Sequence, residues 1–145
     1  MTEMKAYWHI HHDVLVEFSG DIEERIRYIK THKPAKEVPL RLRLLKPVQG
    51  KLPDTVIKAG VTNHEASVAR DKARVAYDKA WVTRDKTRAS CDKAGAAYYE
   101  ASMARDKAGA VLNETLDAHQ SEIEALHAQE CPDCPWNGKT IFPGK

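Results

Sequence analysis

The chain has 145 residues and a formal net charge of +2, which allows one domain, or one small domain with an extension. Charge this close to balance does not indicate a polyanionic partner, so we do not expect nucleic acid to bind. No run of about 18 apolar residues occurs, which excludes a transmembrane helix and a membrane partner. The first residues also lack the apolar core of a signal peptide, and we expect a cytoplasmic protein.

The first 47 residues predict a small α+β head. Alternation of apolar and polar residues over 6–18 predicts a strand. Asp21 is a suitable N-cap for a short amphipathic helix over 22–31, which Pro34 ends. A second alternation, of leucines with arginines, predicts another strand at about 38–46. Two strands alone are marginal, so this strand–helix–strand head needs a third strand or a partner chain.

A seven-residue repeat follows the predicted linker at 48–62. The pair Asp-Lys recurs at Asp71, Asp78, Asp85 and Asp92, and again at Asp106. With Tyr77 defined as heptad position a, small or apolar side chains occupy most of positions a, d and g, and the Asp-Lys pairs occupy b and c. The repeat predicts one long alanine-rich helix over 63–129, with a possible break at 113–121. The unbroken phase from 70 to 112 argues against a hairpin inside that span.

The alanine-rich seam predicts self-association, because a single helix cannot bury such a face alone. We expect a homo-oligomer, since a long coiled coil is stabilised only by packing against another helix. The segment after 113 is too short to return along the whole helix, so antiparallel packing of two chains is favoured. The seam is also compatible with another protein as partner.

Residues 130–145 contain a cysteine knuckle, Cys131-Pro-Asp-Cys134, and a predicted short strand at 139–142. Two cysteines at this spacing form a common half-site for zinc, which prefers four ligands. His127 precedes Cys131 by four residues and is predicted as a third ligand. A fourth could come from His119, from the head or from another chain. The alternatives are a redox dithiol, although such pairs usually lie at a helix N-terminus, and a purely structural turn.

A second candidate metal site lies in the head. His9, His11 and Asp13 alternate, so on a strand they share one face. The H-x-H-x-D spacing resembles the first metal motif of metallo-β-lactamase-like and amidohydrolase-type enzymes. This resemblance covers five residues and implies a metal-dependent hydrolase.

Two arginines provide a candidate anion site. On the predicted second strand, Arg41 and Arg43 share one face, where they could bind an anion beside the polar face of the first strand. This small basic strand is also the only basis for a third functional class, a nucleic-acid-binding regulator.

Together these features predict an α+β chain dominated by a heptad helix, with a small head and a C-terminal knuckle. The function that follows is structural or interaction-based: a self-associating spacer or scaffold whose knuckle is stabilised by zinc. The sequence indicates no reaction, and an enzyme is the less favoured alternative.

Overall fold

The computed structural model describes residues 3–83 and 88–144. The chain divides into two compact units. Residues 1–53 and 119–145 form the first, called here the head unit, and residues 54–118 form the second, called the helical pair. In the described residues the elements are, in chain order, β1 (Lys5–Trp8), β2 (Val16–Ser19), α1 (Ile22–His32), α2 (Val38–Leu44), β3 (Lys46–Pro47), α3 (Asp54–Val82), α4 (Arg88–Ala118) and α5 (Gln120–Glu130). The α+β class and the long helices agree with the sequence prediction.

The head unit contains an antiparallel sheet in the order β2-β1-β3. Trp8 at the end of β1 pairs with Val16 on one side and with Lys46 on the other. The third strand that the head was expected to need is therefore β3, which immediately follows α2. The short strand predicted at 139–142 is wrong, because these residues form bends rather than a strand.

The single strand predicted over 6–18 is wrong, because the run is a β-hairpin whose connection spans residues 9–15. The chain leaves β1 at His9, which has a φ of 52°. This left-handed conformation is uncommon for residues other than glycine. The His9 N–H donates to the carbonyl of Leu15 at 3.1 Å, which closes the hairpin across its connection.

The helix α1 begins as predicted, with the Asp21 carboxylate accepting a hydrogen bond from the Glu24 N–H at 3.1 Å. The strand predicted at 38–46 is wrong, because residues 38–44 form α2. The Leu-Arg alternation fits a strand, but burial follows the helical spacing of Glu37, Arg41 and Leu44. Arg41 and Glu37 form a buried ion pair one helical turn apart, with Nη2 and Oε2 separated by 2.7 Å.

The core of the head unit joins segments that are far apart in the sequence. Its almost fully buried side chains come from β1, α1, α5 and the C-terminal segment: Trp8, Ile29, Ile123 and Ile141. The Trp8 indole N–H donates to the Glu130 carboxylate at 2.7 Å. The Ile141 N–H donates to the His12 carbonyl at 2.9 Å, which attaches the C-terminal segment to the β-hairpin connection.

In the helical pair, α3 and α4 pack antiparallel. Near one end Tyr77 stacks on Tyr98 with ring centroids 6.0 Å apart, and towards the other end Gly109 lies beside Asn63. Positions a and d are partly or fully buried on both helices, with Arg105 as the exception among the described residues, whereas b, c and g are exposed almost throughout. The predicted a/d face is thus the packed face, and position g is not part of it.

The prediction of one helix over 63–129 is wrong. α3 begins at Asp54, inside the predicted linker 48–62, and α4 returns along α3. The break expected at 113–121 occurs between Ala118 and Gln120. The repeat unit Asp85-Lys86-Thr87 lies outside the described residues. No helix in the described part of the chain is long and apolar enough to cross a membrane.

The small side chains of the seam leave space between the two helices. An apolar groove of about 390 Å³ runs between residues 55–62 of α3 and 104–115 of α4, and Ala59, Ala104 and Ala108 are among its lining residues. The groove is lined mainly by apolar surface of the two helices.

Candidate metal centre

Three side chains of the head unit converge on one point. His9 Nε2 lies 2.9 Å from His127 Nε2 and 3.2 Å from Cys134 Sγ. All three ligand atoms lie within 4.8 Å of one another, and this group could hold a metal ion. His9 follows β1, His127 lies in the last turn of α5, and Cys134 follows α5, so the fold brings together residues more than one hundred positions apart.

The backbone orients His9. Its Nδ1 lies 3.2 Å from the carbonyl oxygen of Val14. Because a carbonyl can only accept, this contact places the imidazole proton on Nδ1 and leaves the lone pair on Nε2 pointing at His127 and Cys134. A histidine whose other nitrogen donates to a backbone carbonyl is the usual arrangement of a metal ligand.

His127 is fixed by its neighbours on two sides. The ring of Trp8 meets it edge-on at a centroid distance of 5.1 Å, and Trp8 itself is anchored by Glu130. Since His9 presents a lone pair, His127 donates the Nε2 proton across the 2.9 Å contact when no metal is bound. Binding of a metal requires this proton to move to Nδ1 of His127, after which both imidazoles present lone pairs.

Glu130 holds the surrounding backbone. Its carboxylate accepts hydrogen bonds from Trp8, from the Gln49 N–H at 3.0 Å and from the Gly50 N–H. Burial acts to raise the pKa of the Glu130 carboxyl, but these hydrogen bonds outweigh it and lower the pKa. One ionised side chain therefore connects β1, the segment after β3 and α5.

Burial keeps the metal-free cluster uncharged at neutral pH. Burial, and then repulsion from His127, lowers the pKa of His9 to about 4. Burial also lowers the pKa of His127 and raises the pKa of both the Cys131 and the Cys134 thiols. The imidazoles are thus neutral, the form that binds metals, whereas a thiol must lose its proton before it becomes a ligand.

The structure brings together some of the predicted ligands. His127 and Cys134 belong to the converging group. Cys131 lies between them in the sequence but is outside the group of three. Their partner is His9, which the sequence had placed in the other candidate site. The missing fourth ligand of the knuckle, together with the group of three histidines at 9, 11 and 12, was the signal that could have joined the two motifs.

The site predicted from His9, His11 and Asp13 is not formed. The three residues do not share a strand face, because residues 9–15 connect β1 to β2. His11 is exposed and pairs with Glu17 at 2.8 Å, and Asp13 is exposed as well. Only His9 points into the head unit.

The predicted anion site is not formed either. Arg41 and Arg43 lie on the helix α2, where residues two apart face different directions. The Arg41 guanidinium is buried, pairs with Glu37 and lies 4.9 Å from the centre of the Phe142 ring. Arg43 is exposed.

Comparison of the chain with protein-family models, with curated proteins and with solved structures finds no match. The function of the chain is therefore inferred from the geometry of the metal centre and of the helical pair.

Proposed function

We propose that the chain is a structural and interaction protein whose head unit is held together by a zinc ion. The observation that supports this proposal is the convergence of His9, His127 and Cys134. Imidazole nitrogen and thiolate sulfur are the ligands that zinc takes in structural sites, whereas magnesium and calcium require oxygen. The donor set therefore favours zinc among the common divalent ions.

The position of the ligands favours a structural role for this ion. His9 and His127 are almost fully buried, so the metal would lie inside the head unit and would link β1 to α5 and to the segment that follows it. Cys131 and Cys134 are not joined by a disulfide bond, so both thiols are available to a metal. The proposal includes a cytoplasmic location, where thiols are kept reduced.

Metal analysis of the purified chain tests the proposal. We expect one zinc ion per chain in the wild type and its loss in His9→Ala and in Cys134→Ser. His11→Ala is the matched control, because His11 is a neighbouring histidine that is exposed and points away from the centre. A wild-type chain that binds no zinc even after incubation with zinc salt would disprove the proposal. Loss of zinc in His11→Ala would instead favour the hydrolase alternative.

A second proposal concerns self-association. The a/d seam that motivated it is covered by α4 of the same chain, so the interaction requires another surface. The outer face of α3 supplies one: Val68, Val75 and Val82 are exposed and recur every seven residues. At about 100° per residue they share one face, nearly opposite Tyr77. We propose that this valine stripe packs against the stripe of a second copy, antiparallel, as in a coiled coil.

The molar mass in solution tests this second proposal. We expect a dimer in the wild type and a shift towards monomer in Val75→Lys, because a charge at the centre of the stripe opposes packing. Thr62→Lys, at an exposed position of α3 away from the stripe, is the control and should remain dimeric. A monomer at every concentration of the wild type would rule out self-association.

A further inference from the structure

Cys131 lies beside the metal centre and has no part in the group of three. We propose that Cys131 is the fourth ligand, so that the zinc ion is held by two imidazoles and two thiolates with no position left for water. The inference rests on the zinc centre proposed above and adds what that centre lacks, a complete coordination sphere. It also assigns both predicted cysteines to one site with His9 and His127.

Cys131 is the C-cap residue of α5, with a φ of −129° and a ψ of 62° outside the helical range. It follows His127 by four residues, and its N–H still donates to the His127 carbonyl at 2.7 Å. This hydrogen bond places the Cys131 backbone about one turn beyond His127 on the same side of α5.

A turn links the two cysteines. The Cys134 N–H donates to the Cys131 carbonyl at 3.2 Å, which closes a β-turn over residues 131–134. Such a turn brings its first and last Cα atoms within about 7 Å of each other. This is the form in which two cysteines separated by two residues bind one zinc ion.

Charge also favours a second thiolate. A zinc ion with two neutral imidazoles and one thiolate keeps a net positive charge, whereas a second thiolate makes the complex neutral. The centre is buried, and burial of an unpaired charge is costly. A second thiolate removes this penalty, and Cys131 is the nearest thiol in the sequence.

A change of side-chain rotamer is the motion that would bring the Cys131 sulfur towards the centre. The Cys131 side chain is buried, with 4% of its surface exposed, so its sulfur already lies inside the head unit. A change between staggered χ1 rotamers moves a cysteine sulfur by about 3 Å. This displacement does not require α5 or the turn to move.

Titration with Co²⁺, which replaces zinc and absorbs light, tests the inference on the full chain. Absorption from thiolate-to-cobalt charge transfer increases with the number of bound thiolates, and the visible bands report tetrahedral geometry. We expect a tetrahedral two-thiolate spectrum for the wild type. Cys131→Ser should lose about half of the charge-transfer intensity and bind at least about tenfold more weakly, since even outer-shell changes cost about 10–100-fold. Cys91→Ala is the control, because Cys91 lies in the helical pair, and its spectrum should be unchanged.

Cys131→His covers the case in which Cys131→Ser does not fold. It restores a ligand, and it should bind cobalt tetrahedrally with the intensity of one thiolate. An unchanged spectrum and affinity in Cys131→Ser would overturn the inference while leaving the centre of His9, His127 and Cys134 intact. A two-thiolate spectrum in Cys131→His would overturn it equally. A wild type that binds no cobalt and no zinc would overturn the proposed metal centre as well.

Discussion

The head unit and the helical pair are stabilised in different ways. The head unit buries large side chains from distant segments, such as Trp8, Ile29 and Ile141, and surrounds them with hydrogen bonds that each connect two elements. The helical pair repeats one small contact along its length and leaves an apolar groove between its helices. The stability of the head unit depends on a few residues with specific contacts, whereas the stability of the helical pair is distributed over many similar contacts.

This difference predicts how each region responds to change. In the head unit, the loss of one side chain that bonds two elements should destabilise the whole unit, because no repeated contact holds those elements together. In the helical pair each substitution should have a local and limited effect. Three experiments on the full chain follow from this difference, in order of decreasing expected effect.

Removal of the metal should have the largest effect and should be confined to the head unit. Structural zinc sites contribute about 10–16 kcal/mol of apparent binding free energy in small peptides at neutral pH, so chelation should reduce protection of the head by several kcal/mol. Hydrogen exchange measured with and without chelator should show lost protection at Ile123 and Ile141, and unchanged protection at Tyr98. Equal loss in both regions would mean that the metal does not act on the head unit alone.

Arg41→Met should have the next largest effect. Breaking a buried ion pair by removing one partner costs about 3–5 kcal/mol, because the other charge is left buried. The substitution also removes the guanidinium that lies against the Phe142 ring. Arg43→Met is the matched control on the same helix, and as an exposed substitution it should change the free energy of unfolding by no more than about 0.5 kcal/mol. Chemical denaturation measures the free energy of unfolding of both variants. An equal decrease in the two would contradict the burial of Arg41.

The smallest effects are expected from glycine to alanine substitutions, and their signs should differ between the two regions. In the head unit, a Cβ at Gly50 would overlap Leu126 and approach Glu130 Oε1 at 3.1 Å. Such overpacking costs about 1–3 kcal/mol. In the helical pair, a Cβ at Gly109 would meet only Asn63 Oδ1, at an ordinary 3.5 Å. There alanine should stabilise the helix by about 0.5–1 kcal/mol.

Denaturation of the two glycine variants gives the comparison directly. A stabilising Gly50→Ala would show that Leu126 moves aside without cost, and the head unit would then be less tightly packed than its geometry indicates. A destabilising Gly109→Ala would show that α3 and α4 pack more closely at Gly109 than the 3.5 Å contact with Asn63 indicates.

The packed face of the helical pair was predictable from the sequence, because the residues on that face recur every seven positions. Tyr77, Tyr98 and the alanines at d positions mark the packed face, and the structure uses that face. The identity of the partner helix was not predictable from the phase. Tyr77 and Tyr98 are separated by three heptads, so the repeat keeps its phase whether the chain continues straight or reverses between them. Phase continuity therefore did not exclude a helical pair within one chain.

The head unit was less predictable, because its decisive contacts are not local. Alternation over 6–18 is shared by one long strand and by a hairpin, and nothing adjacent to His9 shows that it adopts a positive φ. The knuckle and His127 were recognised from their spacing. The contact of His9 with Cys134 links residues 125 positions apart and follows only from the pairing of β1 with the rest of the head unit.

The separation of His9 from Cys134 also determines the order in which the chain can fold on the ribosome. At about 5–20 residues per second, roughly 6 to 25 seconds pass between the synthesis of these two residues. During that interval Trp8 and His9 have been made but α5 has not, so the β1 segment must wait without its packing partners. The helical pair can assemble as soon as α4 emerges. Of the two units, the one whose synthesis begins earlier is therefore completed later.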